Sequence, residues 1–507
     1  MDRARHLLRS SVIVILFFAL GKLTGLLRTW LISREFGTSA EFDAFTAANQ
    51  LPEVFVTLIS GGALAAAFIP VYSNYLTSKS AKESARLGNT VLTLVIAILG
   101  GISLIGIFFA PWITSNVLVP DFPKEIQHLT ADLMRVILIQ TTLFGVSGVL
   151  SSVLNAHQHF ALPALAPVAL DLGYIFGLVV LVPTMGIYGL AWGTVIGGVL
   201  HILIQAPALR RFRFRYRPDW AINLEGTRET VKLMGPRIVT LGAVQMADLV
   251  IIRLTSGMAA GSTSGYFYGY YLMQLPETLI GTAIAIVVFP TMAELFNAKD
   301  IEGLKKLSIT ALRIIWLLAV PAALGLVMLG RQAIAVFFQG GAFTETSTTI
   351  VYTVLIFFSV RVISEASLEI LARLFYAQHN TWTPMFVSIG WLFVTGAFSF
   401  LLVGNMGIGG LALASTIAFT LQSIVLFVLN RRKLGALFGR QLVQTAGQAI
   451  LGALGMATII YAAGQFISSD ILLLIFGGSA GLAVYAGITY LAGSREIPAV
   501  IQLIRSR

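Results

Sequence analysis

Cysteine is absent from the 507 residues, which excludes disulfide staples, thiolate nucleophiles and Cys-ligated zinc. Charge is scarce too. Asp, Glu, Lys and Arg make up 11% of the chain, against roughly 25% in soluble domains. No Walker A sequence, HExxH or GxSxG occurs, so neither ATP bound by this chain nor a hydrolytic centre is expected, and the chain is not expected to be an enzyme. What is present is apolar: 57% of residues are hydrophobic, in runs such as 90–112, charge-free over 23 residues, and 385–430, charge-free over 46. About 20 apolar residues cross a bilayer as a helix. The sequence therefore predicts an all-α polytopic membrane protein; a β-barrel would show short alternating segments instead. The first apolar run, 10–21, follows Arg3, Arg5 and Arg9 as a signal peptide would. It continues through Lys22 and Arg28 without a small-residue cleavage site, so it reads as a retained first helix.

Apolar runs set against charged or Gly/Pro-rich breaks give fourteen spans, beginning near residues 10, 48, 88, 131, 161, 186, 231, 265, 307, 348, 382, 407, 442 and 469. Alternate loops, counted from the N-terminus, hold 24 of the 34 basic residues; the opposite set holds Arg34, Lys124, Arg135 and Arg331, and six lie at membrane depth. This segregation places both termini of a multi-pass membrane protein in the cytoplasm. The net charge of +11 is thus a matter of topology, and no nucleic-acid partner is expected. The most basic loop, RRFRFRYRPDW at 210–220, reads first as a topology signal with aromatic interface anchors. The second reading is a grip on anionic lipid headgroups.

The tetrapeptide QLPE occurs at 50–53 and again at 274–277. Shifting the chain by 221 aligns Met185-Gly186-Ile187 with Met406-Gly407-Ile408, Pro163 with Pro384, and Arg210-Arg211 with Arg431-Arg432. Two parallel six-helix units follow, an N-lobe within 1–211 and a C-lobe at 231–432. A basic linker at 212–230 joins them, and an extra helical pair with a tail fills 433–507. An even number of helices per copy sets the pseudo-axis along the membrane normal, as in parallel-repeat transporters. Pro52 and Pro276 are expected to bend helices 2 and 8.

An ionisable side chain at bilayer depth is costly and marks a bundle interior or a wet cavity. Such residues are Lys22 and Arg28 on helix 1, Asp43 and Glu53 around the start of helix 2, Asp171 on helix 5, Arg237, Asp248 and Arg253 on helix 7, and Glu277 on helix 8. Lys22 and Arg28 lie about 120° apart around a helix, and Arg237 and Asp248 within about 20° of one face. Helix 10 carries Arg361, Glu365, Glu369 and Arg373 at i,i+4 spacing. This ladder reads either as a self-neutralised stripe or as a proton or cation coupling site. His157 and His159, without acidic neighbours, do not make a metal site.

Several stretches together resemble the MviN/MurJ family of lipid II flippases, within the multidrug/oligosaccharidyl-lipid/polysaccharide exporter superfamily. They are GKLTGLLR at 21–28, FDAFTAANQLPE at 42–53, LNAHQHFALPALAP at 154–167, GLAWGTVIGGVLHILIQAP at 189–207, VKLMGPR at 231–237, YLMQLP at 271–276 and FFQGGAFT at 337–344. The resemblance covers about residues 10–432. It implies a fourteen-helix fold of two lobes around a cationic cavity, and alternating-access export of an undecaprenyl-diphosphate-linked disaccharide-pentapeptide. It also implies a lipid-tail groove by the last two helices. The family's helix-1 basic residues fall on Lys22 and Arg28, and its acid before helix 2 on Asp43.

The chain departs from the pattern at four positions: Val56, Gly61, Tyr271 and Gln274 stand where the resemblance leads one to expect a base, an acid, a base and an acid. The expected substrate-binding set is accordingly Lys22, Arg28, Asp43, Glu53, Arg237, Arg253 and Glu277, with Arg237 and Arg253 replacing missing cations. Asp248, Glu365 and Glu369 are the candidates for ion coupling. No cofactor is expected beyond Na+, H+ or the membrane potential, and the partners are the lipid-linked glycan and membrane lipids, with the chain acting as a monomer. Three other readings remain: a flippase for another polyprenyl-linked glycan, a cation-coupled drug exporter, and a non-transporting scaffold.

Overall fold

The computed structural model describes residues 2–60, 62–212, 214–435 and 439–494, with side chains from residue 16 onward except at 18, 59, 60, 62, 236, 240 and 440. Gly61, Arg213, Arg495, Arg505 and Arg507 lie outside the described residues, as do the side chains of Arg3, Arg5, Arg9 and Arg440.

Backbone amides in hydrocarbon find no water, so each must bond within its own segment. The described chain obeys this: it is helical throughout, and its only β feature is one bridge between Gly340 and Phe343. By internal contacts it forms two compact units, Met1–Thr263 and Ser264–Arg507. Ten helical stretches among the described residues are long and apolar enough to cross a bilayer, or eleven if the two halves of one helix bent by 40° count as one span.

The first unit runs α1 (Asp2–Phe36), α2 (Ala40–Phe55), a π turn (Val56–Ser60), α3 (Gly62–Ser78), α4 (Ala81–Ile113), a π turn (Thr114–Leu118), α5 (Lys124–Ala156), α6 (Ala161–Phe176), a π turn (Gly177–Leu181), α7 (Val182–Met185), α8 (Ile187–Leu203), α9 (Ala206–Arg211) and α10 (Glu225–Thr255). Its core joins Leu64, Phe68 and Tyr72 of α3 to Leu87, Val91 and Leu99 of α4 and Val149 and Val153 of α5. The helices α6 and α8 touch backbone to backbone. A Cβ at Gly173 would strike Gly197, and one at Gly177 would lie 2.5 Å from the Gly193 Cα. This small-residue seam replaces the hydrophobic drive that lipid cannot supply.

The basic stretch after α9 is fastened to this unit. A Cβ at Gly88 would lie 2.9 Å from the Phe214 ring, Arg86 pairs with Asp219 at 3.1 Å, and the Gly226 N–H donates to the Tyr75 hydroxyl at 2.9 Å. Next, α10 packs on α2, α3 and α4. The contact boundary therefore falls at 263/264, one helix beyond the basic linker at 212–230.

The second unit runs α11 (Ser262–Glu277), a π turn (Thr278–Thr282), α12 (Ala283–Asn297), α13 (Ile301–Phe338), α14 (Glu345–Ala377), α15 (Trp382–Leu434), α16 (Arg440–Phe466), α17 (Asp470–Leu472), a π turn (Leu473–Gly477) and α18 (Gly478–Leu491). The last helices seat Met456, Ile460, Leu473 and Tyr485 against Leu329 of α13. In α15 the helix breaks at Gly407, whose φ of 54° is left-handed.

Both QLPE motifs have the same local outcome. Pro52 stands four residues before the π turn at 56, and Pro276 two residues before the π turn at 278. Proline withholds an N–H and crowds the carbonyl four residues back. Shortly after each proline comes one wide turn, a device frequent at functional sites.

Candidate functional site

In the first unit Thr24, Gly25 and Arg28 face α6. Arg28 Nη1 lies 2.8 Å from Asp171 Oδ1, the Thr24 hydroxyl donates to Asp171 Oδ2 at 2.6 Å, and the Arg28 guanidinium stands 4.7 Å over the Tyr174 ring. The Arg28 side chain is 29% exposed and that of Asp171 7%. Glu53 of α2 is within charge–charge reach of Arg28 and accepts from Asn49 Nδ2 at 3.2 Å. The result is one guanidinium with free donors, a buried counter-charge, an aromatic face and a second acid. Lys22 does not join this cluster. It is exposed and makes no hydrogen bond or ion pair among the described residues.

Asp43 serves a different structural purpose. It is 1% exposed, in the first turn of α2, and its Oδ2 accepts the Gly261 N–H at 2.6 Å. Gly261 has φ +89°, and a Cβ there would lie 2.5 Å from the Thr38 carbonyl oxygen, so the loop after α10 is clamped to the start of α2.

On α10 the halves Glu225–Val239 and Leu241–Thr255 meet at 40°. Arg237 lies in the first of these halves and Asp248 in the second. Pro236, which has no N–H to give, precedes the break by one turn. Arg253 lies in the last turn of α10 and ion-pairs with Asp121, in the loop between α4 and α5.

In the second unit α14 makes both pairs of its ladder, Arg361 Nε with Glu365 Oε2 at 2.7 Å and Arg373 with Glu369. Arg361 also donates to the Ser415 hydroxyl at 2.8 Å and lies 3.7 Å over the Phe419 ring. Gln274 donates to Glu365 Oε1 at 3.3 Å and to the Tyr270 hydroxyl at 3.0 Å, while Tyr271 is 56% exposed. Glu277, grouped by sequence with the substrate cations, is 3% exposed and faces α14. No group of three or more His, Asp or Glu side chains among the described residues has metal-binding geometry.

Sequence reasoning flagged Asp171 as a membrane-depth charge but left it out of the site. Its partner lies 143 residues away, and no spacing rule joins them. Tyr174, one turn on from Asp171, carried no signal of its own. Gln274, noted only as a departure, proves to be a ligand of the ladder.

A solved structure titled "Lipid II flippase MurJ, inward closed conformation" superposes with a TM-score of 0.80 at 21% identity, covering 97% of this chain and all of that one. An inward-facing MATE-family multidrug transporter of the MOP superfamily superposes with a TM-score of 0.71 at 15% identity, covering 84% and 98%. The chain therefore has the fold shared by these two structures. Residues 32–476 match the family model described as lipid II flippase MurJ, and the chain belongs to that family. Relatives include the "Lipid II flippase MurJ" of Burkholderia cenocepacia, 29% identical over 84% of each chain, and the "Probable lipid II flippase MurJ" of Buchnera aphidicola, 29% identical over 96% of each. The chain is a multi-pass protein of the cytoplasmic membrane, in a family of transporters rather than of catalysts.

Proposed function

We propose that this chain flips lipid II, the undecaprenyl-diphosphate-linked peptidoglycan precursor, across the cytoplasmic membrane by alternating access. Family membership over residues 32–476 carries the assignment, and the partly exposed Arg28 with its buried counter-charge supports a mechanism. Asp171 occupies one edge of the guanidinium and leaves further donors open. A diphosphate oxygen approaching that edge exchanges one anionic partner for another, so the arginine is at no stage a lone charge in low dielectric. Lys22 adds a mobile point charge. Arg253, half-exposed with Asp121, offers the same exchange, and Glu53 and Arg237 complete the substrate set. Asp43 acts by positioning, through Gly261. Coupling falls to Asp248, Glu365 and Glu369, driven by H+, Na+ or membrane potential.

The topology belongs to the same reading. Adding α1 and α14 and dividing α15 at Gly407 brings the eleven spans to fourteen, with both ends cytoplasmic. The paired π turns support descent from two six-helix copies.

Rescue of a bacterium depleted of its own lipid II flippase tests this. The wild-type chain restores growth, and Arg28→Ala and Arg253→Ala each abolish rescue. Full rescue by both variants would overturn the cation roles, and no rescue by wild type would overturn the substrate.

A further inference from the structure

The second unit holds one acid that the ladder on α14 leaves uncompensated. Each arginine of that ladder already serves one carboxylate, Arg361 with Glu365 and Arg373 with Glu369. Glu277, the last residue of α11, has no arginine of its own. Its Oε2 receives one long bond, 3.4 Å from the Thr278 hydroxyl. Its Oε1 is buried and has no hydrogen-bond partner among the described residues.

The carboxyl group fills a notch between the π turn and α14. A Cβ on Gly281 would lie 2.6 Å from Oε1 and 2.6 Å from the Ala366 Cα. Arg361 is spent elsewhere, on Glu365, Ser415 and the Phe419 ring.

The surrounding ionisable groups are few. From α14 they are Arg361, Glu365, Glu369 and Arg373, of which Arg361, Glu365 and Glu369 act electrostatically on Glu277. Tyr270 of α11 engages Gln274. Of the other helices against the π turn, α12 has only Glu294, near its far end. On α13, Arg313 donates to Thr445 and Arg331 pairs with Glu345.

A lone carboxylate buried beside two others is strongly unfavourable, and such a group neutralises rather than stay charged. A resident metal cation needs several converging oxygens, and no acidic triad among the described residues provides them. A proton needs one.

We propose that Glu277 is a proton-exchange site in the membrane interior, holding a proton in the arrangement seen here and releasing it when the π turn at 278–282 rewinds. Release turns the carboxylic acid into a carboxylate and passes the proton to water that the rewound turn admits. The π turn is the movable part, because converting one wide turn to an α turn rotates the residues before it relative to those after. The site stands on the geometry of this unit alone, whereas its coupling to lipid movement rests on the flippase reading.

Infrared difference spectroscopy on the full chain in lipid nanodiscs, in sodium-free H2O and D2O near neutral pH, tests the site. Wild type shows a carboxylic-acid carbonyl band that shifts in D2O. Glu277→Gln loses it, Glu277→Asp displaces it, and Glu294→Gln, near the far end of α12, retains it. A wild-type spectrum without the band overturns the proposal whatever the variants do. So does a band that survives Glu277→Gln, or one that vanishes when Na+ is added at fixed pH. For coupling, the wild-type flipping rate in vesicles varies with pH and that of Glu277→Gln varies less, the residual dependence belonging to Asp248, Glu365 and Glu369. A variant profile matching wild type overturns coupling, and a wild type that flips no lipid II overturns the flippase reading while leaving the infrared result intact.

Discussion

Gly186 and Gly407, 221 residues apart, share one backbone conformation, with φ/ψ of 56°/−142° and 54°/−135°. Each breaks a helical path just before a Gly-Leu-Ala step, and a Cβ at either would meet nothing within 4 Å. The need for glycine there is therefore one of backbone strain rather than of space. Gly186→Ala and Gly407→Ala should each lower stability by about 1–2 kcal/mol. Gly404→Ala, equally roomy but in regular helix, should not. Thermal unfolding of the three purified variants in detergent checks this.

Arg28 and Asp171 predict opposite effects from two substitutions in one pair. Arg28→Ala removes the phosphate ligand, and lipid II binding weakens at least tenfold, about 1.4 kcal/mol. Asp171→Asn frees the guanidinium from its competitor, so lipid II binds more tightly while flipping slows, because release now leaves an unpaired charge. Arg28→Lys keeps the charge but loses the planar stack over Tyr174, and its rescue should be partial. Titration with lipid II, set beside a vesicle flipping assay, separates the three.

The Asp43–Gly261 clamp predicts a purely local defect. Asp43→Ala strands the buried Gly261 N–H, at a cost of about 1–3 kcal/mol. Hydrogen exchange should rise in the loop at 256–261 and the first turn of α2 while the rest of α10 keeps its protection. Uniform loosening of α10 would show that the contact has a wider role.

Outside the spans, burial holds the His157 imidazole below its ordinary value of 6.5, and burial, then the nearby Arg211 charge, do the same for His159. His157 stacks on Phe212 at 4.5 Å and meets Tyr72 edge-on at 6.1 Å. A lowered histidine stabilises the folded form fully above its unfolded value, and that contribution is lost as pH falls through it. Acidification from about pH 7.5 to about 5.5 should therefore raise hydrogen exchange across 206–217. His157→Phe should flatten the response.

The all-helical, multi-pass character, the twin QLPE motifs and the α14 ladder were legible in the sequence because each is a local pattern: hydropathy, a proline next to a glutamate, a spacing of four. Pairings between distant helices were not. Nothing near Arg28 announces Asp171, and nothing near Arg253 announces Asp121, since ion pairs between packed helices obey no fixed separation in sequence. The 40° bend of α10 was likewise hidden. Glu277 drew attention as a charge in the wrong solvent, but that its neighbours are already taken is visible only once α14 is in place.

Asp171 sits two residues before Gly173, the first contact of the seam along which α6 lies directly on α8. Four absent methyl groups, at 173, 177, 193 and 197, thereby fix how deep the counter-charge of Arg28 rests. Enlarging any of them would wedge the two helices apart and swing that acid away without altering a single charged residue. Among diverged sequences, those four positions should tolerate change least when judged by size, however freely the neighbouring leucines and valines are exchanged.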